Sequence, residues 1–155
     1  MPEPDDLTER TDAVRALEAE FGALIHQLRR VIAENAQRVS PGMLPAAYKV
    51  FTTIVRREGM SLSALAESLA ADKGQISRTV RELEQLGLIT RTPDPEDGRS
   101  SLLFATEHGV ERLAAARAPQ EQSLLSALGE WSVDDIRSLT RLLHALTAGE
   151  RPDTV

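Results

Sequence analysis

The residues best suited to chemistry crowd between Lys73 and Gln85. Lys73, Gly74, Gln75, Ser77, Arg78, Arg81 and Gln85 supply an ammonium, two guanidinium groups, two amides, a hydroxyl and a bare backbone position. They contain no nucleophile–base pair and no metal-ligand spacing. They are the types that meet nucleic acid: guanidinium to guanine, amide to adenine, hydroxyl and backbone N–H to phosphate. On a helix turning about 100° per residue, Val80, Leu83 and Gly87 fall within about 40° of Ile76. Gly74, Arg78, Arg81 and Gln85 fall within about 40° of the opposite side, with Lys73, Gln75 and Ser77 flanking them near the start. One face is built for burial and the other for contact.

The elements that position this helix follow from start and stop signals. Asp72 is a natural N-cap, with Gln75 three residues on. Gly87 is a natural stop. A preceding helix over about 62–70 opens at Ser61, and another over about 44–57 ends at Gly59. After Gly87, two β-prone runs, Leu88–Thr92 and Ser100–Ala105, flank the turn sequence Pro93-Asp94-Pro95-Glu96-Asp97-Gly98-Arg99. Two short helices followed by a hairpin make a winged helix-turn-helix, whose second helix enters a major groove. Arg99 at the hairpin tip suits the narrow minor groove, with Asp97 placed to hold it.

Longer helices flank this lobe. Val14, Leu17, Phe21, Leu24, Leu28 and Val31 form an apolar seam in steps of three and four from Thr8 to about Val39. A helix of about 45 Å is too long for one small domain to cover, so part of the seam should pack on another chain. Thr106 opens a further helix, in which Pro119 should cause a kink or a break. Ser132 caps the last, which ends at Gly149. The expected fold is mainly α with a small β-hairpin wing. The winged helix-turn-helix lobe covers 41–106, with its wing at about 88–106. A helical dimerisation region covers 8–40 and 107–150. Residues 1–7 read as a disordered acidic tail and 151–155 as a second tail.

Three segments together resemble one family. The run Ile76-Ser77-Arg78-Thr79-Val80-Arg81-Glu82-Leu83-Glu84-Gln85-Leu86-Gly87-Leu88-Ile89 is similar to the recognition helix and first wing strand of the MarR family of transcriptional regulators. Asp94-Pro95-Glu96-Asp97-Gly98-Arg99-Ser100 resembles its wing signature, and Ala105-Thr106-Glu107-His108-Gly109 the element opening its fifth helix. The resemblance covers roughly residues 10–148. It implies a homodimer on a pseudo-palindromic duplex, with Ser77 and Arg78 on phosphate or bases and Arg99 in the minor groove. Gly98 stands where many members carry a second Arg, which implies fewer wing contacts. The same resemblance implies a small anionic or aromatic ligand, for which His26, Arg29, Arg30 and Tyr48 are candidate pocket residues.

Composition bounds the alternatives. The 155 residues carry a net charge of −6, which alone would disfavour a nucleic-acid partner. The first 20 residues account for most of it, holding seven acids and two bases, so the body is near neutral. The absence of cysteine removes disulfides, thiolate metal sites and thiol redox sensing from this sequence and makes the cytoplasm the expected compartment. No apolar run approaches membrane-helix length. Neither a Gly-rich phosphate loop nor a hydrolase or metalloprotease motif appears, so an enzyme is not expected, and no cofactor is implied. His26, His108 and His144 show no metal-ligand spacing. The expected function is a DNA-binding regulator, most simply a repressor released by a ligand. The alternative is a winged-helix dimer acting as a protein-interaction scaffold, favoured if Arg78, Arg81 and Arg99 are tied up in internal ion pairs.

Overall fold

A computed structural model describes residues 4–97 and 100–151, with side chains from Leu7 onward. Six helices and a small sheet follow in the order α1 (Pro4–Val39), α2 (Pro45–Arg57), β1 (Met60–Ser61), α3 (Leu62–Ser68), α4 (Lys73–Gln85), β2 (Ile89–Pro93), β3 (Ser101–Ala105), α5 (Glu107–Ala127) and α6 (Val133–Ala148). By packing, the chain divides into two compact units, one up to Arg117 and one from Ala118. This differs from the expected partition. The C-terminal turn of α1 and the first half of α5 share the lobe's core, because Ala36, Val39, Leu113 and Ala116 are buried in the same cluster as Phe51, Ile54, Val80 and Leu103.

Within the first unit, helix ends are set by identifiable groups. Ser61 caps α3 by accepting from the Ala64 N–H at 3.2 Å. Helix α3 stops at Ser68, short of the expected residue 70, because Ala70 is left-handed at φ 48° and turns the chain toward α4. Asp72 accepts from the Gln75 N–H at 2.9 Å, and Gly87 leaves α4 at φ 69°. The wing carries an extra strand that the sequence did not announce. The sheet is antiparallel in the order β1-β3-β2, with Met60 opposite Leu103 and Ile89 opposite Ala105. Two residues are too few to show alternation, which is why β1 escaped notice. Its approach is set by Gly59, at φ 103°, where a Cβ would lie 2.6 Å from the Phe104 ring.

Thr106 and Gly109 lock the exit of the wing. The Thr106 N–H donates to the Leu88 carbonyl at 3.0 Å, and its hydroxyl donates to the Gly87 carbonyl at 2.6 Å. The same oxygen accepts from the Gly109 N–H at 2.9 Å and so caps α5. Gly109 is buried where a Cβ would stand 2.1 Å from the Leu88 carbonyl oxygen, so only glycine fits. Arg112 then reaches the open C-terminal end of α1, donating to the Val39 carbonyl at 2.6 and 3.1 Å and to that of Arg38 at 2.8 Å. A cation there satisfies carbonyls the helix leaves unpaired.

Helix α1 begins by Pro4, inside the segment expected to be a tail; proline's fixed φ and missing N–H suit a first turn. Val14, Leu17, Leu24 and Leu28 are 49–54% exposed, so the first unit leaves much of the seam uncovered. Helix α5 runs through Pro119 without being split. One proline costs about 3 kcal/mol, which the Ala-rich turns around it tolerate. In the second unit, Ser132 caps α6 through the Asp135 N–H at 3.1 Å and Gly149 ends it at φ 70°. Leu124, Leu125, Leu142 and Leu146 remain 48–74% exposed. No helix among the described residues is long and apolar enough to cross a membrane.

Candidate nucleic-acid interface

Helix α4 is held by Ile76, Val80 and Leu83, which are 0–4% exposed in the core. That anchoring fixes the opposite face outward. Lys73, Gly74, Gln75, Arg78, Arg81 and Gln85 are exposed, and Ser77 is half-buried on the flank. Among the described residues Lys73, Arg78 and Arg81 make no ion pair, which leaves their charges to a partner. Glu84, by contrast, is held by the Arg91 Nε at 2.9 Å. This neutralises an acid on the side of α4 that faces the wing, although a pair this exposed adds little stability.

The two flanks of α4 differ. On the wing side stand Glu84 and β2. On the other, the α1–α2 turn and the start of α2 form a wall, leaving an open groove of about 520 Å³. Ser40–Leu44, Ala46 and Ala47 line one side of it; Gln75, Arg78, Thr79 and Glu82 line the other. A smaller cleft of about 150 Å³ continues past Gln75 and Thr79 to Lys49 of α2.

The wing tip is closed by backbone pairing: Asp94 N–H to the Ser100 carbonyl at 3.0 Å, and Ser100 N–H to the Asp97 carbonyl at 2.8 Å. Asp94 also accepts from the Glu96 N–H at 2.9 Å, a short polar turn of the kind Asp favours. Asp97 is exposed in this loop. Arg99 and the neighbouring Gly98 lie outside the described residues.

The expected ligand-pocket residues separate into two environments. His26, Arg29 and Arg30 are exposed on α1, with Arg30 3.8 Å from Glu34. Tyr48 is buried, 6% exposed and packed with Val50, Phe51 and Ile54, and its hydroxyl accepts from Arg117 Nε at 3.2 Å. Aromatic area is buried first where the core has room, and the hydroxyl then needs a partner. None of the four lines the groove beside α4. His26, His108 and His144 are all exposed, and no cluster of His, Asp and Glu able to hold a metal occurs among the described residues. Lys49 of α2 borders α4 across the smaller cleft. Nothing in its local pattern links it to α4, because the two meet only through the packing of α2.

Comparison with known proteins gives consistent results. The sequence model described as "MarR family" matches residues 45–101, the stretch from α2 to β3. The transcriptional regulator HosA of Escherichia coli O111:H- is 30% identical over 94 residues, covering 59% of this chain and 70% of that protein. A putative transcriptional regulatory protein for the hcr operon of Thauera aromatica is 38% identical over 73 residues, which is 47% of this chain and 44% of that longer protein's length. Among solved structures, Streptococcus pneumoniae FabT in complex with DNA superposes with a TM-score of 0.72 over 87% of this chain and 95% of that one. At 14% identity, that likeness concerns the fold.

Proposed function

The chain belongs to the MarR family of transcriptional regulators, and we propose that it binds a pseudo-palindromic duplex as a homodimer, with α4 of each protomer in a major groove. The observation that carries this reading is the pair Arg78 and Arg81, outward on a helix whose other face is buried and free of internal ion pairs among the described residues. A guanidinium without an internal carboxylate offers its full fork to guanine or phosphate. The exposed α1 seam, with Leu17 and Leu24 about half exposed, supports a second copy as the cover for the long helix. Lys73, Gly74, Gln75, Ser77 and Gln85 complete the surface on α4, while Asp97 and Arg99 serve the wing. Two half-sites about one helical turn, ~10 bp, apart follow from a two-fold dimer.

Repression by covering a promoter, relieved by a small anionic or aromatic ligand, belongs to the same proposal. His26, Arg29 and Arg30 are the candidate ligand contacts; Tyr48 drops out because Arg117 already holds its hydroxyl. Differential affinity of such a ligand for one spacing of the two α4 helices would release the duplex.

Selection of a random duplex pool on the purified protein, at a stated salt, tests the reading. Enrichment of a pseudo-palindrome by the wild type, lost in Arg78→Ala, is the expected result. If nothing is enriched and the two proteins behave alike, the DNA reading fails and the interaction scaffold takes its place.

A further inference from the structure

We infer that Lys49, on α2, is a backbone contact of the same interface, its ammonium taking one phosphate of the strand that borders the major groove entered by α4. This rests on the DNA reading above and adds a residue that none of the recognition-helix or wing motifs contains.

The placement comes first. Lys49 is exposed and has no ion-pair partner among the described residues. With Ala46 it lines the cleft of about 150 Å³ whose other wall is Gln75, Ile76 and Thr79 of α4. Gln75 and Thr79 also line the larger groove, next to Arg78. From the buried line of α4, Thr79 and Gln75 stand at about 60° and 100°, and Arg78 on the same flank at about 160°. Lys49 therefore stands beside the base-reading face and not on it. A helix about 10–12 Å across fills a major groove about 12 Å wide, so what lies beside it in the complex is the phosphate backbone.

Charge selects the same occupant. The cleft is lined by Ala46, Lys49, Val50, Leu69, Ala71, Gln75, Ile76 and Thr79, with no acid among them. The nearest carboxylate along α4, Asp72, has its Oδ1 engaged by the Gln75 N–H. One turn further, Glu82 lines the larger groove and would repel a phosphate there. The strand is thus drawn toward the N-terminal half of α4, where Lys49 and Arg78 stand on the same flank. The sequence holds sixteen Arg and only two Lys, and both lysines border this end. An ammonium is a compact point charge suited to phosphate without base preference. Size argues against an organic effector in this cleft, since about 150 Å³ is well below the roughly 300–1,000 Å³ of ligand pockets.

The experiment uses the duplex selected by the wild-type protein and measures affinity from 50 to 200 mM salt. Lys49→Gln removes one phosphate contact from each protomer, two per dimer, and should lower the slope of log affinity against log salt by about 1.8, so its deficit relative to wild type shrinks about 12-fold across that range. Base preference should stay as in wild type, and Lys49→Arg should restore the slope. Methylphosphonate placed singly along the duplex backbone should reveal one position in each half-site that weakens wild type but not Lys49→Gln. An unchanged slope in Lys49→Gln, on a duplex the wild type binds, overturns the role of Lys49 and leaves the regulator standing. Failure of the wild type to bind any duplex overturns both. The methylphosphonate scan of the wild type reads the phosphate contact without depending on the folding of any variant.

Discussion

Replacing Gly109 by alanine should destabilise the protein, against the ordinary trend for a helix interior. The added methyl would stand 2.1 Å from the Leu88 carbonyl oxygen, where real Cβ contacts do not fall below 3.0 Å. Something must therefore move by about 1 Å, and both sides are backbone. Along that line lies the Thr106 N–H to Leu88 carbonyl hydrogen bond, now 3.0 Å, which would be stretched beyond use. Overpacking costs roughly 1–3 kcal/mol and the lost hydrogen bond about 1 kcal/mol, against a gain of about 1 kcal/mol from alanine's helix propensity. The net is a loss of about 2 kcal/mol, or roughly 4–8 °C in melting temperature for a chain of this size. Gly22→Ala is the matched contrast. It lies inside α1 with nothing within 4 Å of the new methyl and should stabilise by about 0.5–1 kcal/mol. Thermal and urea melts of both variants at one protein concentration are the assay. A Gly109→Ala protein that melts at or above wild type would refute the close approach of α5 to the α4–β2 corner.

Three further outcomes are expected. Arg112→Ala should cost about 2 kcal/mol in a urea melt, because it leaves the Arg38 and Val39 carbonyls uncapped; Arg112→Lys should recover only part, since one ammonium cannot span both oxygens. Leu17→Asp with Leu24→Asp should weaken self-association by nearly three orders of magnitude in sedimentation, each of the four half-exposed leucines in a dimer counting for about 1 kcal/mol of seam burial. Arg99→Ala should weaken duplex binding by roughly 1–3 kcal/mol and relax any A·T preference flanking the half-sites, read by competition with permuted duplexes.

What could be read in the sequence was what local rules determine. The caps at Ser61, Asp72 and Ser132 and the stop at Gly87 each rest on one side chain or one glycine meeting its own turn. The two faces of α4 follow from periodicity alone, so the outward position of Arg78 and Arg81 needed no tertiary information. The end of α3 was missed because the left-handed residue there is alanine, which carries no turn signal. Of the kink or break expected at Pro119, the break does not occur, because the whole helix absorbs a penalty that is local to the proline.

The remainder depended on contacts distant in sequence, and Thr106 shows how the two kinds of information meet. As a sequence feature it is an N-cap for α5, and its bond to the Gly109 N–H is that cap. Its donation to the Gly87 carbonyl cannot be read locally, because it joins residues nineteen apart. That bond, with Leu88 accepting from the Thr106 N–H, ties the end of α4, the start of β2 and the start of α5 into one corner. The Thr-x-x-Gly spacing thus has two separate causes: the hydroxyl must reach the third N–H of a helix, and the residue at that N–H must lack a Cβ because Leu88 is already there. Tyr48 is the converse case. Its polar tip and aromatic body suited a pocket as well as a core, and only the arrival of Arg117 from α5 decides between them. Lys49 follows the same logic at the interface, since α2 carries it to α4 only after the core formed by Phe51, Ile54, Ile76 and Val80 has set the two helices side by side.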